Sequence, residues 1–540
     1  MNRFAALYRQ RVRRDGLQLA LWIGGTALLA FAAYAGVMDS FETERDRRSL
    51  LVAAIANPVI LLFRGLPSGA GEGAFIGFLI VPFLCMLAAF MSLFLAVRHT
   101  RMEEETGRAE LVGGTPAGRM LPTVVTIVHG LVADVVLSLV SAFALIAAGL
   151  EATGSLVVGA AAGTVGVFFL GVGLCAAQFM RTSRGANTTS VTVLLVTYLL
   201  AGIGNASGAP SDDLQRMESS WLTWLSPFGW AENSRPYADD NLWPLLLCAL
   251  AGLAFAGTAV ALQSLRDVNS SFIAERAGRV DARPALRSTT ALVWRLSAGS
   301  IIGWAIGGAL SGLLATTLGT VVQEVGADNP AIKAILAQIA SQQGSIEQGV
   351  LTTFFVMIGI LAACAGVQTI TRARQEESHG TAEIVLATPT DRVRWLADFV
   401  IVGFAAIVII LAAGLAAASV GIAISDGDSG LYRGAVTVAL GQVAAASVFL
   451  VVTALVFVVA PHASTVVGWT LVVLAAVVGL FGPIVGMPEA VTWLSPVAAA
   501  PVPVADGVDV RGLWWLLGVI VVTGAAALGL MRRRELAAGG

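Results

Sequence analysis

The chain has little of what a soluble enzyme uses. Of its 540 residues only 13% are charged, about half the ordinary share, and the formal net charge is −2. No basic field is therefore available to hold nucleic acid. Lysine is almost missing: Lys333 is the only one among 33 basic residues, and the rest are arginine. An ATP-binding P-loop needs a lysine after a glycine-rich turn. Lys333 lies in Asn329-Pro330-Ala331-Ile332-Lys333, which has no such turn, so the chain carries no ATPase site of that kind. The cysteines Cys85, Cys175, Cys248 and Cys364 stand far apart in apolar runs, away from paired histidine. That spacing fits neither a disulfide framework nor a zinc site, and no metal is expected. There is also no carboxylate pair or nucleophile–base set on one side of a bilayer, so the chain is not read as an enzyme.

What the chain has is apolar length, at 56% hydrophobic residues. A membrane helix needs roughly 20 apolar residues. Twelve such runs occur, near 18–38, 75–97, 121–149, 155–179, 188–205, 242–264, 290–318, 349–370, 396–424, 434–460, 464–482 and 512–531. The first run is too long for a secretory signal and lacks a clean cleavage site, so it reads as a retained span. With both termini inside, the cytoplasmic segments hold 24 basic residues and the outside segments 9. The inside clusters run from Arg3 to Arg14, Arg98 to Arg119, Arg181 and Arg184, Arg266 to Arg295, Arg372 to Arg394 and Arg532 to Arg534. This is the bias expected of cytoplasmic loops. The expectation is a multi-pass protein of the plasma (inner) membrane with both termini cytoplasmic. No segment between spans is long enough for a soluble domain.

The two halves repeat. Residues 101–119 (Arg101-Met-Glu-Glu-Glu-Thr-Gly-Arg-Ala-Glu-Leu-Val-Gly-Gly-Thr-Pro-Ala-Gly-Arg119) follow the second span, and residues 374–392 (Arg374-Gln-Glu-Glu-Ser-His-Gly-Thr-Ala-Glu-Ile-Val-Leu-Ala-Thr-Pro-Thr-Asp-Arg392) follow the eighth. Ten of these nineteen positions are identical without a gap. Thr223-Trp224-Leu225-Ser226-Pro227 is likewise repeated as Thr492-Trp493-Leu494-Ser495-Pro496. The expected fold is an all-α integral membrane protein of twelve transmembrane helices in two six-helix pseudo-repeats, related by an axis along the membrane normal. Residues 1–265 form the first half, 266–289 a cytoplasmic linker and 290–540 the second half. The repeated loops span 98–120 and 371–395. Each reads as a short polar helix, a break and a new helix, with Thr115 or Thr388 as N-cap and Pro116 or Pro389 at the first helical position. A solvated acidic face does not require the same Gly, Ala, Glu, Thr and Pro at one spacing twice. Glu103, Glu104, Glu105, Gly107 and Glu110, and their counterparts Glu376, Glu377, Gly380 and Glu383, are therefore candidate partner-docking residues.

Gly380-Thr381-Ala382-Glu383-Ile-Val-Leu-Ala-Thr388-Pro389 resembles the loop between the second and third spans of type-2 ATP-binding-cassette exporter permeases. In that family the segment is the coupling helix seated on the ATPase subunit. The first half departs from the pattern, with Arg108 where threonine is usual and Gly113-Gly114 at the end of the apolar run. Most members have one six-span unit per chain. A fused pair rich in Ala, Val and Arg resembles the actinobacterial polyketide-antibiotic and multidrug exporter permeases. The resemblance implies a transport subunit that binds two copies of a separate ATPase, which hold ATP and Mg, and that exports an apolar or amphipathic compound. No cofactor is implied on this chain.

In two outside regions, 206–241 and 483–511, the apolar part is too short to span. Trp221, Trp224, Pro227 and Trp230 in the first, and Trp493 and Pro496 in the second, suit re-entrant or interfacial elements. Arg3, Arg9, Arg11, Arg13 and Arg14, interleaved with Phe4, Leu7, Tyr8 and Val12, suit either an interfacial helix or simple orientation charge. Ionisable residues inside spans are few: His129 and Asp134 in the third, as possible pathway residues, and Asp398 near the start of the ninth. A twelve-span proton-coupled antiporter is the alternative, and it would need His129 and Asp134 to titrate during transport.

Overall fold

The structure is a computed structural model. It describes residues 3–56, 58–114, 118–267, 270–273, 287–326, 346–424, 429–481, 489–504 and 507–534. Thr115, Pro116, most of the linker 266–289, the stretch 327–345 and residues 482–488 lie outside the described residues.

Long apolar runs become long helices, because a backbone without water must satisfy its own N–H and C=O groups. Among the described residues eleven helices are long and apolar enough to cross a membrane. The run at 464–482 is described as far as Phe481. It forms a helix over Ser464–Ala476 and widens into a π-helical turn over Val477–Phe481. At about 1.5 Å per residue the described part, 464–481, comes close to a ~30 Å hydrocarbon core without reaching it.

The chain divides into two compact units, Met1–Ala277 and Gly278–Gly540. In the first, the helices are α1 (Arg3–Ser40), α2 (Glu44–Ala56), α3 (Pro58–Phe63), α4 (Glu72–Arg98), α5 (Arg101–Glu105), α6 (Arg108–Gly113), α7 (Leu121–Ala148), α8 (Ala152–Phe179), α9 (Ser183–Ala206), α10 (Pro227–Glu232) and α11 (Trp243–Leu265). Helix α8 is the hub, packed on α4, α7 and α11, and α1 lies along α7. Its glycines permit that approach. A Cβ on Gly163 would stand 1.9 Å from Ser138 Oγ, and one on Gly166 2.3 Å from Asp134 Oδ1. Phe169, Leu84, Leu194 and Phe228 fill the core. The polar N-terminal stretch is not a separate interfacial helix: α1 runs unbroken from Arg3.

In the second unit the helices are α12 (Thr289–Gly326), α13 (Ile346–Ser378), α14 (Thr381–Leu386), α15 (Arg392–Ile424), α16 (Ser429–Val459), α17 (Ser464–Ala476), α18 (Glu489–Thr492) and α19 (Leu513–Met531). Helix α13 packs on α12, α15 and α16, α12 on α15, and α16 on α19. Phe355, Phe399, Ile410 and Phe457 are its buried centre. Each unit adds one two-stranded hairpin, pairing Ala209–Pro210 with Met217–Glu218 and Val502–Val504 with Gly507–Asp509.

Candidate coupling loops and polar clusters

Both repeated loops turn on a glycine. Gly107 has φ 71° and Gly380 φ 73°, a left-handed conformation that a side chain disfavours. Each glycine ends one helical stretch and starts a helix of six residues, α6 or α14. Leu111 on α6 is 77% exposed and Ile384 on α14 is 72% exposed. The sequence pattern singles out the neighbouring acids instead. The signal was present, because both are large apolar residues in polar loops.

The acidic residues separate into two groups. Glu104 accepts from Arg266 at 2.5 Å and from Arg101 at 2.6 Å. Glu377 is buried and accepts from Arg534 at 2.6 and 2.8 Å, with Arg374 at 3.6 Å. Arg266 immediately follows α11 and Arg534 lies just past α19. In each unit the loop is thus tied to the end of the last long helix. Glu103 pairs with Arg14 of α1 at 2.5 Å. Glu376 pairs with Arg372 at 2.9 Å and accepts from Thr381 Oγ1. Glu105 accepts from the Ser183 amide, and the side chains of Glu110 and Glu383 are exposed.

The expected cap at Thr388 is corrected. Thr388 Oγ1 donates back to the Val385 carbonyl at 2.5 Å, and both Thr388 and Pro389 precede the next helix. Asp391 caps that helix, accepting from the Arg394 amide at 2.7 Å. An aspartate three residues later offers the stronger N-cap acceptor. In the first unit the next helix begins at Leu121, with Pro122 in its first turn, so it does not start at Pro116.

Beside α14 lies an open cleft of about 1080 Å³ lined by Glu383, Leu386, Arg392 and Arg532. A space of about 80 Å³ beside α6 is lined by Leu7 and Arg11 of α1 together with His99 and Gln178. Helix α1 enters further. Arg11 donates to Thr126 Oγ1 at 2.5 Å, and Asp15 Oδ2 lies between His99 Nε2 and His129 Nε2, 3.1 Å from the latter. These three groups are the one cluster with metal-ligand chemistry among the described residues. Arg98 also reaches Asp15 at 3.2 Å. His99 Nδ1 has no hydrogen-bond partner. The cluster joins α1, the end of α4 and the start of α7 through these contacts. Sequence reasoning had noted only His129.

Asp134 is 1% exposed, accepts from Ser92 Oγ at 2.5 Å and packs against Gly166. Asp398 is fully buried and accepts from the hydroxyls of Thr289 and Thr290 at the start of α12. At the opposite end of the first unit, Trp221 and Trp224 are exposed on a 3₁₀ turn. Trp230 Nε1 donates to the Trp224 carbonyl at 2.8 Å. Ser226 caps α10 ahead of buried Pro227 and donates to the Thr197 carbonyl of α9 at 2.7 Å. In the second unit Ser495, ahead of buried Pro496, donates to the Ala475 carbonyl of α17 at 2.8 Å, and Arg511 lies 5.0 Å from the ring centre of Trp493. Glu232 at the end of α10 is buried with Asn205 Nδ2 donating at 2.5 Å. Burial raises its pKa to about 8 against that hydrogen bond. Residues Val448, Leu471, Leu494, Pro496 and Trp515 line an apolar pocket of about 340 Å³.

Residues 286–532 match the family described as multidrug efflux system permease Rv1217c, C-terminal domain. Over 538 residues the chain is 30% identical to the multidrug efflux system permease protein Rv1217c of Mycobacterium tuberculosis, covering 98% of this chain and 94% of the relative. The chain belongs to this family of multidrug efflux permeases, which is the level at which the loop motif placed it among ATP-binding-cassette permeases.

Proposed function

We propose that this chain is the membrane subunit of an ATP-driven exporter, moving apolar or amphipathic drug-like compounds out of the cytoplasm or the inner leaflet. It lies in the plasma membrane with both termini cytoplasmic, and two separate ATPase subunits dock on α6 and α14. The observation that carries this reading is the pair of short helices, each after a left-handed glycine and each presenting one large apolar residue, Leu111 or Ile384, to solvent. An exposed apolar residue on a polar loop suits a partner's pocket. The relative's name, a multidrug efflux permease, supports the direction and the class of cargo. The matched helix pairings support two duplicated halves: α4 on α8 and α13 on α16, α1 on α7 and α12 on α15.

Movement of a coupling helix has a route within its own half. The Glu104–Arg266 and Glu377–Arg534 pairs join each loop to its last long helix. The antiporter alternative needs titration at Asp134 and His129, which are enclosed in contacts with Ser92 and Asp15. No observation favours it.

The test is pull-down of the chain from its native membranes. A P-loop ATPase should accompany the wild type and be lost from the Leu111→Asp/Ile384→Asp double variant, while folding is unchanged because both sites are exposed. Drug transport in proteoliposomes driven by a proton gradient without ATP would overturn the proposal.

A further inference from the structure

The connection between α1 and α4 makes a cavity of about 670 Å³ within the first unit, at the end remote from residues 98–120. Its size falls in the range of small-molecule sites. Eleven of its twelve lining residues are apolar, among them Val37, Leu50, Phe83, Met86 and Phe90. The twelfth is Arg64, just past α3. Its guanidinium donates to the Leu79 carbonyl at 3.2 Å and lies 5.5 Å from the ring centre of Phe83. Among the described residues no carboxylate pairs with it. Among the described residues one of its five N–H donors is used, and the side chain is exposed. An exposed guanidinium with free donors at the edge of an apolar wall offers charge-assisted hydrogen bonds to an anion. A cationic ligand would be repelled, and a neutral apolar one would make no use of those donors.

We infer that this cavity binds an amphiphile with one anionic head, the carboxylate, phosphate or sulfonate set on Arg64 and the hydrocarbon body lying along α1 and α4. The segment between α1 and α4 supplies both Leu50, on α2, and the cation. The inference stands apart from the ATP-coupled reading: it concerns binding and needs no ATPase.

Fluorescence titration of the full-length chain in neutral detergent tests it, with cis-parinaric acid and its methyl ester as probes. The acid should bind about tenfold or more tightly than the ester, the scale of one charge-assisted hydrogen bond. Arg64→Gln should remove that preference and Arg64→Lys should retain most of it. Met86→Trp, which fills the cavity without touching the charge, should weaken both probes. Equal binding of acid and ester to the native chain would overturn the inference. So would a preference that survives Arg64→Gln, or binding untouched by Met86→Trp. The last of these stays informative should Arg64→Gln fail to fold. Repeating the titration in phosphatidylcholine nanodiscs, with and without phosphatidylglycerol, separates the sources. Displacement by phosphatidylglycerol assigns the site to a lipid headgroup, and its absence to a free amphiphile. Either result upholds an anionic amphiphile.

Discussion

Single carboxylates in this chain differ in fate although the sequence writes them alike. Glu103, Glu104 and Glu105 are consecutive, yet one meets Arg14 from α1, one meets Arg266 from beyond α11 and one accepts a backbone amide of α9. Partners some 160 residues away are invisible to local pattern, so the inward turn of Glu104 and Glu377 could not be read in advance. Asp15, His99 and His129 come together from three separate segments for the same reason. Glu232 gives a residue-scale prediction. Its folded pKa of about 8 exceeds its ordinary 4.5. Its contribution is full below pH 4.5 and declines as pH rises towards 8, because the unfolded chain releases the proton first. The slope is at most about 1.4 kcal/mol per pH unit, and it flattens above the folded pKa. Glu232→Gln keeps an acceptor for Asn205 and removes the titration. Thermal unfolding should show the variant gaining on wild type between pH 5 and 8, and parallel pH curves would refute the assignment.

Elements were legible where one periodicity or one composition decides them. Apolar runs near 20 residues gave the long helices, and the repeated loop motif marked α6 and α14. Their ends were less legible, because Asp391 outcompetes Thr388 as a cap and a π turn shortens α17. The tie between α19 and the second loop predicts an outcome at this scale. Arg534→Ala leaves Glu377 buried with only Arg374, at 3.6 Å. Loss of one partner of a buried pair costs on the order of 3 kcal/mol. Adding Glu377→Gln should recover much of that loss, and a double-mutant cycle on unfolding midpoints would measure it. A second prediction concerns α8. Gly166→Ala drives a Cβ into the Asp134 carboxylate. Stability should fall by about 1–3 kcal/mol, as in other overpacked cores. Asp134→Ala should partly rescue it, because it empties the space that the methyl group needs. Additive effects of the two changes would show that α7 and α8 do not meet there.

At the scale of the whole molecule, the proposal requires two sockets of unequal quality. The loops share a glycine conformation and an exposed apolar tip, but their surroundings differ. Beside α14 the cleft is about 1080 Å³ and open. Beside α6 a space of about 80 Å³ is lined in part by α1, which Arg11 and Asp15 fasten in place. A partner can seat deeply at α14 and only against the surface of α6, where Gly114 also replaces the alanine that follows the second loop's Leu386. Interface energy concentrates in buried apolar anchors. Ile384→Asp should therefore weaken ATPase retention more than Leu111→Asp. Size-exclusion chromatography with light scattering of the co-purified complex checks both number and order. The expected mass is one permease with two ATPase subunits, reduced further by Ile384→Asp than by Leu111→Asp. Equal losses would mean that the open cleft is irrelevant to docking. A wild-type complex with a single ATPase would mean that the first loop has kept the motif without the function.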